Sequence, residues 1–128
     1  MGMFQVINTG LALTNNIPLN GTVKAGNIVY TSQIPKDPDT AALVTGDIEI
    51  QTRRLLLNLK QSMEAAGGGL ADVCQVTVYL IDADDFPGMN KVYAEIFSKP
   101  YPNRSVVVVK QLLAKGMRVE MVTHGLLG

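Results

Sequence analysis

Two side chains of this sequence have both the type and the setting to do chemistry: Arg104 and Glu120. Arg104 follows Pro102-Asn103 and opens a very apolar run, Val106-Val107-Val108-Val109. Its planar guanidinium matches a carboxylate or a phosphate through two parallel hydrogen bonds. Glu120 stands between Val119 and Met121 near the C-terminus. A sheltered glutamate titrates above its usual range and can pass protons near neutrality. An ordinary salt bridge between the two, or a Glu120 that simply faces water, accounts for the same residues.

The other reactive residue types are few. Cys74 is the only cysteine and His124 the only histidine. An internal disulfide and a histidine-rich metal site are therefore excluded. No P-loop, G-x-S-x-G or H-E-x-x-H pattern occurs. Cys74 falls on the apolar side of an alternating run and reads as a buried structural thiol. His124 reads as a partly exposed residue. Gly67-Gly68-Gly69 lies after a helical pattern, where glycine stops a helix, and not before one, where it cradles phosphate.

Composition narrows the class. The chain has 128 residues and a mass of 13.8 kDa, which fits a single domain over 1–128. Hydrophobic residues make up 47% and charged ones 17%, enough for a packed core and too apolar for disorder. Eleven basic residues balance eleven acidic ones, so the basic excess of a nucleic-acid binder is missing. Near-zero charge also permits self-association. Tryptophan is absent, which argues against a stacking platform for single strands. A single thiol fits a reducing compartment, the cytoplasm or an organelle. No apolar run approaches the ~20 residues of a membrane helix. Met1-Gly2-Met3-Phe4-Gln5 lacks the charged and apolar regions of a secretory signal.

These groups need elements to hold them. Met3–Ile7 reads as an edge strand and Asn8–Asn20 as loop. Gly21–Lys24 and Asn27–Ser32 read as a hairpin about Ala25-Gly26-Asn27, because Gly and Asn tolerate positive φ. Pro35 and Pro38 end it. Ile48, Leu55, Leu56, Leu59, Met63 and Ala66 share one face of a helix over 47–66, which Thr45 or Asp47 can cap. Cys74, Val76, Val78 and Leu80 alternate with Gln75, Thr77 and Tyr79 in a strand over 73–81. Asp84-Asp85 opens a second helix, with Met89, Val92, Tyr93, Ile96 and Phe97 as its buried stripe. The valine run over 105–110 predicts a strand covered on both faces. In the last strand, over 117–124, Met117, Val119, Met121 and Thr123 form one face and Glu120 lies on the other. The order β-β-β-α-β-α-β-β predicts an α+β fold: a two-layer mixed sheet with two helices on one face. Its apolar second face favours cover by another subunit.

Several of these stretches resemble one known family. Tyr30-Thr31-Ser32-Gln33-Ile34-Pro35, Glu64-Ala65-Ala66-Gly67 and Ala71-Asp72-Val73-Cys74-Gln75-Val76-Thr77-Val78-Tyr79-Leu80 are similar to the RidA or YjgF family, also labelled L-PSP endoribonuclease. So are Asp85-Phe86, Asn90-Lys91-Val92-Tyr93 with Phe97, Tyr101-Pro102-Asn103-Arg104-Ser105 and Val119-Glu120-Met121. The resemblance runs in order from about Pro18 onward.

The resemblance implies a chorismate-mutase-like fold and a homotrimer, with sheets lining a central barrel and clefts between subunits. It implies hydrolysis of reactive 2-imino acids, formed from 2-aminoacrylate-type enamines, to 2-keto acids and ammonia without a cofactor. Arg104 then matches the arginine that holds the substrate carboxylate, and Glu120 the glutamate that positions water. Ser32 matches a cleft serine, Asn90 an asparagine bordering the cavity, and Val106 a position that offers backbone groups. Leu19 stands where active deaminases usually carry a tyrosine, which keeps apolar contact and loses a hydroxyl. The family's usual glycine between Ser32 and Gln33 is missing, which shortens the local backbone and changes where Ser32 points. Two further readings stay open: a non-catalytic trimer that binds small carboxylates, and an endoribonuclease or translation inhibitor.

Overall fold

A computed structural model describes residues 2–14 and 16–128. Met1, and Asn15 of the expected loop, lie outside the described residues. The strands are β1 (Gln5–Val6), β2 (Thr22–Ala25), β3 (Ile28–Gln33), β4 (Val73–Leu80), β5 (Asn103–Val108) and β6 (Val119–Leu126). The helices are α1 (Ile48–Ala65) and α2 (Phe86–Ile96), the latter preceded by a 3₁₀ turn over Ala83–Asp85. This is the element order expected from the sequence. The six strands form one sheet in the order β1-β2-β3-β6-β4-β5. β4 and β5 run parallel and the other pairs antiparallel, so the sheet is mixed and the fold is α+β.

The local chemistry explains the boundaries. The hairpin turns through Gly26, whose φ of 60° suits glycine. Asp47, not Thr45, caps α1 by accepting from the Ile50 N–H, worth about 1 kcal/mol. Gly67, at φ 97°, ends that helix, and the Gly68 N–H closes on the Met63 carbonyl. Leu55, Leu56, Leu59 and Met63 of α1 pack with Met89 and Val92 of α2 over Val76, Val78 and Met121 of the sheet. All nine are fully buried. Truncating Leu59 to alanine should cost about 2–5 kcal/mol.

Register decides which face each strand residue occupies, because neighbouring Cα partners share a face. Val76 stands opposite Arg104 and Thr123, and Val78 opposite Val106 and Met121. That row faces the helices. Tyr79 stands opposite Val107 and Glu120, and Ser32 opposite Val122. That row faces away from them.

Three expectations need correction. The first strand shrinks to Gln5–Val6 at the sheet's edge. Cys74 is exposed, because a β-bulge between Val73 and Gln75 adds a residue and turns the buried position over to Val73. The valine run is not covered on both faces within one chain. β5 is the last strand of the sheet, and Val107 and Val108 stand 41% and 54% exposed.

Candidate active site

Arg104 enters from β5 onto the helix side of the sheet. Its guanidinium carbon lies 4.7 Å from the centre of the Tyr93 ring and 5.7 Å from that of Phe86, both on α2. Nη1 reaches the Met89 sulfur at 4.0 Å, a weak acceptor. Among the described residues no carboxylate pairs with it. An arginine stacked on aromatics yet lacking a counter-charge keeps its fork of donors free for an incoming anion.

The surroundings fit that role. Arg104 lines a cleft of about 310 Å³ with Asn90, Tyr93, Tyr101 and Pro102. Asn90 and Tyr93 sit three apart on α2, so both face the cleft. The Asn90 Oδ1 and the Tyr93 hydroxyl are buried without a hydrogen-bond partner. Burial pushes the Tyr93 hydroxyl up to about 12, against a smaller opposing pull from the Arg104 charge. Tyr93 therefore stays neutral across the physiological range and offers Arg104 an uncharged face.

Glu120 stands on β6 on the opposite side of the sheet. It shares a smaller cleft of about 170 Å³ with Ser32 and Lys36. Leu13, Ile17, Leu19, Ile34 and Ala41 give that cleft apolar walls. Burial raises the Glu120 carboxyl above its ordinary value, and among the described residues no cation pairs with it. The β3–β6 ladder runs without irregularity from Ile28 to Gln33, and Ser32 lines this cleft.

Within one chain the candidate residues therefore fall into two separate clefts. Arg104 and Asn90 come together on one side, and Glu120, Ser32 and Leu19 on the other. An ion pair between Arg104 and Glu120 does not form within the chain. Val106 joins neither cleft; it is half-buried two residues beyond Arg104 and packs against the core. Sequence reasoning placed Tyr93 in the buried stripe and missed its place beneath Arg104; the Asn90-to-Tyr93 spacing was the available signal. His124 is half-buried, its ring edge-on to Tyr30 at 5.1 Å. Among the described residues no three His, Cys, Asp or Glu side chains gather to hold a metal, and no helix is long and apolar enough to cross a membrane.

Residues 9–125 match the family model described as Endoribonuclease L-PSP. The chain belongs to the L-PSP family. Among its relatives is a RutC family protein of Pyrococcus horikoshii, 50% identical over 111 residues, or 86% of this chain and 88% of the relative. A 2-iminobutanoate/2-iminopropanoate deaminase of Dermatophagoides farinae is 37% identical over 118 residues, 91% of each chain. RidA from a Psychrobacter species superposes with a TM-score of 0.87 at 37% identity, over 96% of this chain and 99% of that one. E. coli TdcF with bound serine gives a TM-score of 0.87 at 32% identity, over 97% and 99%. These L-PSP relatives support the RidA/YjgF resemblance and, at the level of the family, imine deamination.

Proposed function

We propose that this L-PSP family member hydrolyses small 2-imino acids to 2-keto acids and ammonia at a site shared between copies of the chain. Arg104 of one copy and Glu120 of another supply its two charges. The observation that supports this is the pair of half-sites: an unpaired guanidinium and a desolvated carboxyl, on opposite faces of one sheet. The half-exposed face bearing Tyr30, Val122 and Val107 is where a second chain covers the sheet. The homotrimer belongs to the same proposal.

The residues have matching work. Arg104 grips the substrate carboxylate through its fork, and Asn90 and Tyr93 border that end. Holding the carboxylate orients the imine carbon toward a water beside Glu120. The Glu120 carboxylate takes a proton from the water as its oxygen bonds to the imine carbon, and returns that proton to the nitrogen. The carbinolamine then gives its hydroxyl proton through Glu120 to the amino group. The C–N bond breaks, the carbonyl forms and ammonia leaves. A carboxyl raised by burial holds a proton more readily than an exposed one, which suits this shuttle.

The test generates 2-iminopropanoate or 2-iminobutanoate with an amino-acid oxidase and follows loss of the imine. Acceleration whose kcat/KM drops about 10–100-fold in Arg104→Ala is expected. No acceleration at high protein concentration rejects the reading for those substrates.

Leu19 favours a second reading. It lines the Glu120 cleft at 53% exposure and brings no hydroxyl. A non-catalytic trimer that binds small carboxylates would use the same Arg104. Thermal stabilisation by a 2-keto acid, with no turnover of any imine, is the result that selects it.

A further inference from the structure

Lys36 is a buried charged group for which the reaction above has no use. The residue is 8% exposed. Its Nζ donates to the Ala12 carbonyl at 2.6 Å, which leaves two of its three donor positions open. Among the described residues no carboxylate pairs with it. Burial lowers its pKa by desolvation. A desolvated ammonium without a counter-charge is costly, and an incoming anion relieves that cost.

The position of Lys36 says what kind of anion. It lines the Glu120 cleft, and it also lines an adjoining cleft of about 270 Å³. The two clefts share a rim of Leu13, Gly21, Ser32 and Lys36. The Glu120 side of that rim is apolar. The far side mixes Val6, Ile7 and Leu11 with Asn8, Asn20 and Gln33, and no Asp or Glu lines it among the described residues. An underused ammonium thus stands between the Glu120 cleft and a second cleft that no acid lines among the described residues.

We infer that Lys36 is a specificity-determining residue: it binds a second carboxylate, at the far end of a ligand whose reactive end sits beside Glu120. Ligands that cross the rim are favoured, and these are 2-imino and 2-keto acids whose side chain ends in a carboxylate. Compounds with one or two apolar side-chain carbons leave the second cleft empty. The inference rests on the deaminase reading for the reactive end, but the contact at Lys36 is a binding property measurable without turnover.

Calorimetry on the full-length protein, with 2-oxoglutarate and 2-oxobutyrate as probes, is the test. Wild type should bind 2-oxoglutarate about tenfold tighter, the effect of one charge-assisted hydrogen bond. Lys36→Met, which keeps length and burial, should erase that preference. Lys36→Gln keeps a polar side chain without the charge, and should erase most of the preference even if Lys36→Met fails to fold. A turnover arm compares kcat/KM for imines made from glutamate and from alanine, and that ratio should fall about tenfold in Lys36→Met. Absence of 2-oxoglutarate binding, equal affinity for the two probes, or a preference unchanged in the folded variants overturns the inference. No turnover of either imine with the calorimetric preference intact overturns the deaminase reading alone.

Discussion

The Arg104 cleft and the Glu120 cleft are built in different ways. Arg104 and the side chains around it come from α2, β5 and the short link between them, and its charge lies against a fixed aromatic ring. Glu120 also stands on a strand, but the wall facing it belongs to the segment before β2, through Leu13, Ile17 and Leu19. That segment is tied down by a few bonds: Ala12 N–H to the Pro38 carbonyl at 2.8 Å, Lys36 to Ala12, and Gln61 Nε2 to the Thr9 carbonyl at 2.8 Å. On the proposed function, charge recognition sits on regular elements, and the surface that reads substrate shape sits on a loop. Sites on regular elements hold tighter geometry, whereas loops tolerate variation. Changes in the first cleft should therefore act on every substrate, and changes around the second on the choice among substrates.

The largest break in that comparison comes from the catalytic end. Glu120→Gln keeps the shape and removes the proton acceptor, so kcat should fall by about 10²–10⁴ with KM little changed. In the proposed mechanism the carboxylate is the competent form. The rate should therefore climb with pH through a Glu120 value lying above the ordinary one, as burial dictates. A pH–rate profile in initial-rate assays checks both points. Arg104→Ala comes next, with kcat/KM down about 10–100-fold and most of the loss in KM. At substrate concentrations well below the raised KM, the two impaired variants then test each other. Co-refolded at equal amounts, they should regain roughly a quarter of wild-type activity, since the proposed site takes an intact arginine from one chain and an intact glutamate from its neighbour. Mixed chains with no activity would place both charges of a site in one chain.

Much of this was legible in the sequence, and the reasons for the remainder are specific. The helical face through Leu55, Leu59 and Met63 and the parity of β6 are periodic signals, and both hold. Parity alone put Glu120 opposite Met121. The face of Arg104 was not readable, because four consecutive valines carry no alternation; it follows only from pairing with Val76. Cys74 misled for the converse reason. One bulged residue flips the parity that periodicity assumes. Lys36 carried no signal beyond its place in the proline-containing stretch that ends a strand, and its Nζ finds the Ala12 carbonyl twenty-four positions away.

A finer cut separates charge from stacking within the first cleft. Tyr93→Leu keeps an apolar contact and removes the ring beneath the guanidinium. The lost cation–π interaction, about 0.5–2 kcal/mol, predicts a KM increase of a few-fold to about 30-fold at nearly constant kcat. Tyr93→Phe keeps the ring and should stay near wild type. Steady-state kinetics on both variants distinguishes an arginine held by stacking from one held by the buried hydroxyl.

The smallest effect expected is on stability, and it belongs to the Glu120 cleft alone. Burial raises the Glu120 carboxyl in the folded chain above its value in the unfolded one. Between those two values the folded chain binds more protons, so stability falls as pH rises through that window. Below the unfolded value the carboxyl is protonated in both states and carries no penalty; above the folded value the penalty is complete. Glu120→Gln has no carboxyl to titrate. The variant should therefore gain on wild type from pH 4 to pH 7, and urea melts at fixed ionic strength read the difference. Tyr93 supplies the control from the opposite cleft. Its hydroxyl titrates at about 12, so Tyr93→Phe should shift stability by the same amount at pH 4 and pH 7. A Glu120→Gln difference that is equally flat would mean that the carboxyl is solvated in solution, and that water reaches the wall formed by Leu13, Ile17 and Leu19.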